Sequence, residues 1–204
     1  MTKSSKSRRM SPRSRIATAA AKAATWASRR TGRGSGGMIG GLIAQKLDPR
    51  ILGQLGGGRP AAIITGTNGK STTTRMLAAA MRAAGDTVAT NEGGDNMDAG
   101  VISALMASPD ADTLVLEVDE LHVAHIAADL KPKVLLLLNL SRDQLDRVGE
   151  INKIEGSLRA AVDANPQATV IANCDDPLIA SAAWDAKNVV WVSAGVGFTG
   201  DSTS

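Results

Sequence analysis

The chain has 204 residues, 43% hydrophobic and 2% aromatic, so one sizeable core can form and must be built from Leu, Ile, Val and Ala. A single cysteine, Cys174, excludes an intrachain disulfide and a cysteine-built metal site, and reads as a small buried apolar residue. The formal charge of +3 is divided: ten of the 23 Lys and Arg and none of the 20 Asp and Glu lie in residues 1–33, so the remainder carries −7, which argues against a nucleic-acid-binding core.

Residues 1–13, mostly Ser, Lys and Arg, have the composition of an unfolded tail. Residues 14–30 suit a helix with Ile16, Ala19, Ala20, Ala23 and Trp26 on one face. That face is mostly alanine and is expected to pack on the domain rather than to lie on an anionic membrane. Residues 31–41 are glycine-rich and read either as a linker or as a loop approaching a ligand; a short helix over 41–47 follows. The run Gly56-Gly57-Gly58-Arg59-Pro60 marks entry into the main domain. The expected organisation is a basic tail and helix over 1–30, a glycine-rich segment over 31–58 and a nucleotide-binding domain over 59–204. No run of 18 apolar residues is present, and the Ala-rich stretch after Arg8-Arg9 is broken by Lys22, so no transmembrane segment and a cytoplasmic location are expected.

From Ala61 onward β and α patterns alternate. Strands are expected near 61–65, 87–90, 113–118, 133–139, 168–173 and 188–193, and helices near 71–84, 97–107, 119–128, 150–164 and 177–183. The continuous apolar runs Leu114-Val115-Leu116 and Val134-Leu135-Leu136-Leu137-Leu138 predict strands buried on both faces. The fold class is therefore α/β, a mostly parallel sheet flanked by helices, with ligands bound beyond the strand C-terminal ends.

The first strand leads into Gly66-Thr67-Asn68-Gly69-Lys70-Ser71-Thr72 and then a helix. That order, with loop amides and a helix N-terminus converging on one spot, suits a phosphate. Lys70 supplies a point charge for the β/γ-phosphates and Ser71 an oxygen for Mg²⁺. The spacing is not that of the general P-loop, which wants glycine where this chain has Ile64.

Every other strand end carries polar residues. Asn91, Asp95 and Asn96 surround Gly93-Gly94 and suit contact with a substrate, or helix capping. After the third strand, Glu117 could bind the metal, or Asp119-Glu120 could act as a Walker-B-type pair; spacing leaves both open, and helix capping accounts for Asp119 and Glu120 equally well. Asn139, Asp143 and Asp146 could touch metal, nucleotide or acceptor. Asn173 and Asp176 precede Pro177, where a turn at a helix start suffices, though nucleotide contact is open. His122 and His125 fall three apart on one helix without an evident third ligand and read as structural.

Together these residues resemble the central ATP-binding domain of the Mur ligase family. The loop at 66–72 resembles that family's phosphate loop, Leu116-Glu117-Val118 its Mg²⁺-binding strand, 143–149 its Asp-His-Leu-Asp-x-His-Gly segment, and 173–177 its Asn-x-Asp-Asp-Pro turn. The resemblance favours Glu117 over Asp119 as metal ligand. It implies ATP and Mg²⁺ as cofactors, with nucleotide contacts from Gly66 through Thr72, Asn139, Asn173 and Asp176. Gln144 and Val148 replace the family's two histidines, and Leu158 stands where ordinary members carry a carbamylated lysine.

Residues 91–96 and 117–120 are most similar to the branch that amidates lipid II. That likeness implies ATP-dependent conversion of the stem-peptide D-glutamate α-carboxylate to D-isoglutamine through an acyl phosphate, with ammonia from a GatD-type glutaminase subunit. It also implies a lipid-borne substrate at the inner membrane surface. Members of that branch continue into a zinc ribbon and a C-terminal ligase domain, so zinc is expected only there, and these 204 residues alone are expected to be inactive. Three rival readings stand: an amide ligase of the folylpolyglutamate synthase type, a P-loop ATPase switch whose basic tail binds nucleic acid, and a non-enzymatic docking surface for the GatD-type subunit.

Overall fold

The computed structural model describes residues 10–30, 37–91, 95–140 and 148–195. Asp143 and Asp146, and Gln144 with them, lie outside the described residues. In chain order the elements are α1 (Pro12–Arg30), α2 (Gly37–Leu47), α3 (Ile51–Gly56), β1 (Ala61–Thr65), α4 (Lys70–Ala83), β2 (Val88–Ala89), α5 (Asp98–Ala107), β3 (Thr113–Glu117), α6 (Val123–Leu130), β4 (Val134–Leu137), α7 (Val148–Asp163), β5 (Thr169–Asn173), α8 (Pro177–Ala183) and β6 (Val189–Val192).

The six strands form one sheet in the order β2-β3-β1-β4-β5-β6, and every neighbouring pair is parallel. Successive residues of β1 face opposite sides of the sheet, as the two-residue period of a strand requires. Ile63 joins the large core with Leu114, Leu116, Leu135, Ile126, Leu158 and Ile179, beneath α5 to α8. Ile64 joins Val115 and Ala78 under α4, which alone among the described helices covers that face. β3 is buried on both faces, as its composition predicts.

β4 departs from that expectation. Val134 and Leu136 are only partly buried, because α4 reaches β1 to β3 and leaves β4 and β5 half covered. An apolar groove of about 470 Å³ results, bordered by Met76 and Met81 of α4 and by Leu136 and Ile171.

The N-terminal helices join the same core. Ala17, Ala21 and Ala44 are fully buried, as is Ile51 of α3. α3 is absent from the sequence-based expectation, although Asp48-Pro49 before Ile51, Leu52 and Leu55 is a helix-start signal. Asp48 Oδ1 accepts from Arg50 N–H at 3.1 Å. α1 is a helix as expected but presents the other face. Ser14, Ala17, Ala21 and Ser28 point inward, while Ile16 and Trp26 are exposed. The reason is close approach: a Cβ on Gly40 of α2 would lie 2.4 Å from Thr25 Oγ1, so α1 and α2 meet only through small residues.

α2 packs equally tightly on α5. A Cβ at Gly41 would stand 1.8 Å from the carbonyl oxygen of Ala99, a backbone atom that cannot rotate away. Gly41→Ala is expected to lower stability by roughly 3 kcal/mol or to part α2 from α5; the urea midpoint measures it, and an unchanged midpoint would contradict this packing.

Buried Arg59 ties the end of α3 to the loop between α5 and β3. Its guanidinium donates to Leu55 O at 2.5 Å, Ser108 O at 3.0 Å and Ala111 O at 3.4 Å. Cys174 is exposed, correcting the buried reading; its Sγ lies 3.4 Å from Val192 O.

Candidate nucleotide site at the strand ends

The parallel register brings the chemically loaded residues together. β1 is central, with Ile64 beside Glu117 of β3 and Thr65 beside Leu137 of β4. The loop after β1, Glu117 and Asn139 therefore share one end of the sheet. Gly66 takes φ +134°, and a Cβ there would lie 2.9 Å from both N and O of Asn139, so only glycine fits. Gly69, with φ +87°, turns the chain into α4 without any side-chain cap. The first-turn amides of α4, carrying Lys70, Ser71 and Thr72, are thus left without a capping side chain.

Asn139 holds the loop in shape. Its backbone O accepts from Thr67 N–H at 2.7 Å, its Oδ1 accepts from Asn68 N–H at 3.0 Å, and its Nδ2 donates to Asn68 O at 3.0 Å. Both ends of its amide are engaged by the loop backbone, so it shapes the loop. Asn173 and Asp176 act alike. Asn173 Nδ2 donates to Leu138 O at 2.9 Å. Asp176 accepts from Leu140 N–H at 2.6 Å and caps α8 through Leu178 and Ile179 N–H. These contacts fix the end of β4 beside β5 and give the turn before Pro177 its structural account.

Lys70 bends back over the loop. Its Nζ donates to Gly66 O and to Thr67 O, and pairs with Glu120 Oε1 at 3.2 Å. Both side chains of the pair are largely buried, at 13% and 10% exposure. The ammonium is therefore already at the loop's mouth.

The three acidic candidates after β3 divide by their contacts. Asp119 Oδ1 accepts from Leu121 N–H, an ordinary turn-capping bond. Glu120 holds Lys70. Glu117 is 3% exposed, and its Oε2 is buried with no hydrogen-bond partner. Like Val115 two residues earlier, it faces the α4 side of the sheet. A buried carboxylate oxygen without a partner is costly unless a cation or donor arrives.

Asn91, a candidate substrate contact, fastens Glu117. Its Oδ1 accepts from Glu117 N–H at 2.9 Å, while Nδ2 donates to Glu117 O at 2.7 Å and to Asp95 O at 3.0 Å. It supplies to the end of β3 the pairing that the two-residue strand β2 is too short to provide. Asp95 and Asn96 flank this clamp, and Asn96 O accepts from Asp119 N–H at 2.9 Å.

Asp98 is a participant the sequence left unmarked. His122 Nδ1 lies 2.5 Å from its Oδ2 and His125 Nε2 3.2 Å from its Oδ1, tying α5 to the start of α6. The signal available was an acid in the first turn of a helix packed beside a helix with two histidines. Among the described residues, no three His, Cys, Asp or Glu side chains are arranged to hold a metal.

A family model for the Mur ligase middle domain matches residues 64–199. Over 153 residues the chain is 34% identical to the MurT subunit of lipid II isoglutaminyl synthase (glutamine-hydrolyzing) from Streptococcus pneumoniae, covering 73% of this chain and 34% of the relative. Over 162 residues it is 33% identical to the MurT subunit from Staphylococcus aureus, covering 78% and 37%. The chain thus spans little more than a third of these curated relatives. Among solved structures, the MurF ligase of Thermotoga maritima in complex with ADP superposes with a TM-score of 0.61 at 19% identity, over 74% of this chain and 36% of that one. A bifunctional folylpolyglutamate synthase/dihydrofolate synthase shares the fold at a TM-score of 0.51 and 20% identity. With a middle-domain match across two thirds of its length and relatives above 30% identity, the chain belongs to the Mur ligase family.

Proposed function

We propose that this chain is the ATP-binding part of an amidating ligase acting on lipid II, converting the stem-peptide D-glutamate α-carboxylate to D-isoglutamine. The observation that carries the nucleotide half is the buried, unpartnered Oε2 of Glu117 at the same sheet end as the Lys70 loop. The amidation half is supported by the 34% identity to MurT, whose printed role is subunit of a glutamine-hydrolyzing synthase. Hydrolysis of glutamine releases ammonia, so a GatD-type glutaminase is the partner in this reading, and the lipid-borne acceptor places the reaction at the cytoplasmic membrane surface. Among the described residues no helix is long and apolar enough to cross a membrane.

The residues divide the work as follows. Glu117 and Ser71 would hold Mg²⁺, which needs only one or two protein ligands when phosphates supply others. MgATP supplies the phosphoryl group that activates the carboxylate, and ammonia then displaces phosphate. The amides of the 66–72 loop orient the phosphates, Lys70 spreads charge as the phosphoryl group transfers, and Asn139 keeps the loop in register. Leu158 is fully buried in the apolar core, so no carbamylated lysine stands at that position. This favours ammonia over an amino acid as nucleophile, given the family resemblance.

The test uses the full-length gene product co-expressed with a candidate glutaminase. Glutamine- and ATP-dependent amidation of lipid II is expected. Acceptor-independent ATP turnover that survives Glu117→Ala but not Glu120→Ala would instead establish an ATPase switch.

A further inference from the structure

The geometry points to a second functional surface: the outward face of α1 docks on an anionic lipid bilayer. The inference rests on α1 itself and not on the reaction proposed above. α1 is fastened to the protein by its small side chains, with Ala17 and Ala21 fully buried and Thr18 and Thr25 turned onto their own backbone. Its large apolar side chains face away. Ile16 is 68% exposed and Trp26 62%, with exposed Ala19 and Ala23 between them. The stripe they make is about 15 Å long at the helical rise of 1.5 Å per residue.

Charge decides what this face suits. Arg15 and Lys22, seven residues apart and therefore on one side of the helix, run alongside the stripe and are exposed. Arg30 lies over the Trp26 ring at 5.3 Å. Residues 1–47 hold eleven Lys and Arg and no acid, whereas the rest of the chain is acidic. The first acid, Asp48, is 3% exposed and accepts from the Ser14 hydroxyl, so its carboxylate is turned inward. On α2, Leu42 is also exposed. A stripe with tryptophan at one end, edged by cations, matches a bilayer interface: the aliphatic chains enter the acyl boundary, the indole sits at headgroup level, and the cations meet lipid phosphates. Duplex nucleic acid would take the cations but offers Ile16 and Trp26 no comparable apolar surface.

The test is co-sedimentation of the 204-residue chain with phosphatidylglycerol/phosphatidylcholine vesicles and with phosphatidylcholine vesicles alone, at low and high salt. Binding is expected only with the anionic vesicles and should weaken with salt. The exposed double substitution Arg15→Gln/Lys22→Gln should weaken it roughly 30-fold, about fivefold for each cation. Ile16→Ser/Trp26→Ser should weaken it at least tenfold, with the circular dichroism spectrum and Tm unchanged. In a Trp184→Phe/Trp191→Phe background, Trp26 emission should shift to the blue on vesicle addition. Binding by both double variants as tight as wild type, no preference for anionic vesicles, tighter binding to a DNA duplex, or self-association abolished by Ile16→Ser/Trp26→Ser would each overturn the proposal.

Discussion

Lys70→Ala is expected to lower the proposed amidation, assayed with a candidate glutaminase, by at least about 10²–10³-fold, the cost typical of removing one preorganised donor from a transition-state site. The Nζ contacts with Gly66 O, Thr67 O and Glu120 keep the ammonium against the loop proposed to hold the phosphates. The substitution also acts on stability. Glu120, with its side chain at 10% exposure, loses its cation, and an uncompensated buried carboxylate costs roughly 3 kcal/mol. Lys70→Ala/Glu120→Gln should therefore recover most of the lost stability and none of the activity. That separation distinguishes a phosphate-binding lysine from a merely structural ion pair. Amidation within tenfold of wild type in Lys70→Ala would remove the loop from the reaction. Lys70→Arg is not a rescue, because the guanidinium's flat fork does not fit a position filled by one compact ammonium.

How far the sequence reaches depends on how much of a signal is local. β3 and the loop after β1 follow from residues adjacent in the chain: a five-residue apolar strand, then glycine, lysine and hydroxyl in fixed order. The orientation of α1 does not. Hydrophobic periodicity weights Ile16 and Trp26 most heavily and turns them inward, but the helix faces α2 across Gly40, where only Ala, Ser and Thr leave room. A stripe of small residues, Ser14-Ala17-Ala21-Thr25-Ser28, was legible as the alternative face. Its significance becomes apparent only with the partner helix in place. The half-open face of β4 has a similar origin: an apolar strand carries no record of whether a helix lies over it.

The strand ends expose a second limit. Asn91, Asn139, Asn173 and Asp176 are the residue types that bind ligands, and also those that satisfy peptide groups where a sheet stops. Their spacing does not separate the two uses. Hydrogen bonds do: Asn91 spans both peptide groups of Glu117, and Asn139 those of Asn68. These four side chains brace the strand ends around Lys70 and Glu117, the residues proposed to act. The same contacts separate Asp119, Glu120 and Glu117, which sequence spacing alone left as competing metal ligands.

Glu117→Gln is expected to separate stability from function in the opposite sense. The carboxylate is buried and its Oε2 lacks a partner, so in the absence of Mg²⁺ its charge opposes folding. The amide has the same shape and no charge, and Asn91 holds the Glu117 backbone whichever side chain is present. Without nucleotide the variant should unfold at the same temperature as wild type or up to about 4 °C higher, taking a gain of about 1 kcal/mol in a domain of this size. With MgATP the order reverses. Wild type gains about 2.7 kcal/mol at a ligand concentration 100 times Kd, and the variant, having lost its metal ligand, gains far less. Amidation should fall by the same logic, because the Glu117 Oε2 is a buried carboxylate oxygen without a hydrogen-bond partner at the same sheet end as the Lys70 loop. Differential scanning fluorimetry with and without MgATP reads both effects from one sample. A variant that melts well below wild type without nucleotide would show that the Glu117 charge serves the fold. One that keeps the full MgATP shift would show that the metal is held elsewhere. A carboxylate that destabilises the free protein and is stabilised by the bound cation is the behaviour expected of a metal ligand, and it is a behaviour that neither Asp119, bonded to its own turn, nor Glu120, paired with Lys70, can reproduce.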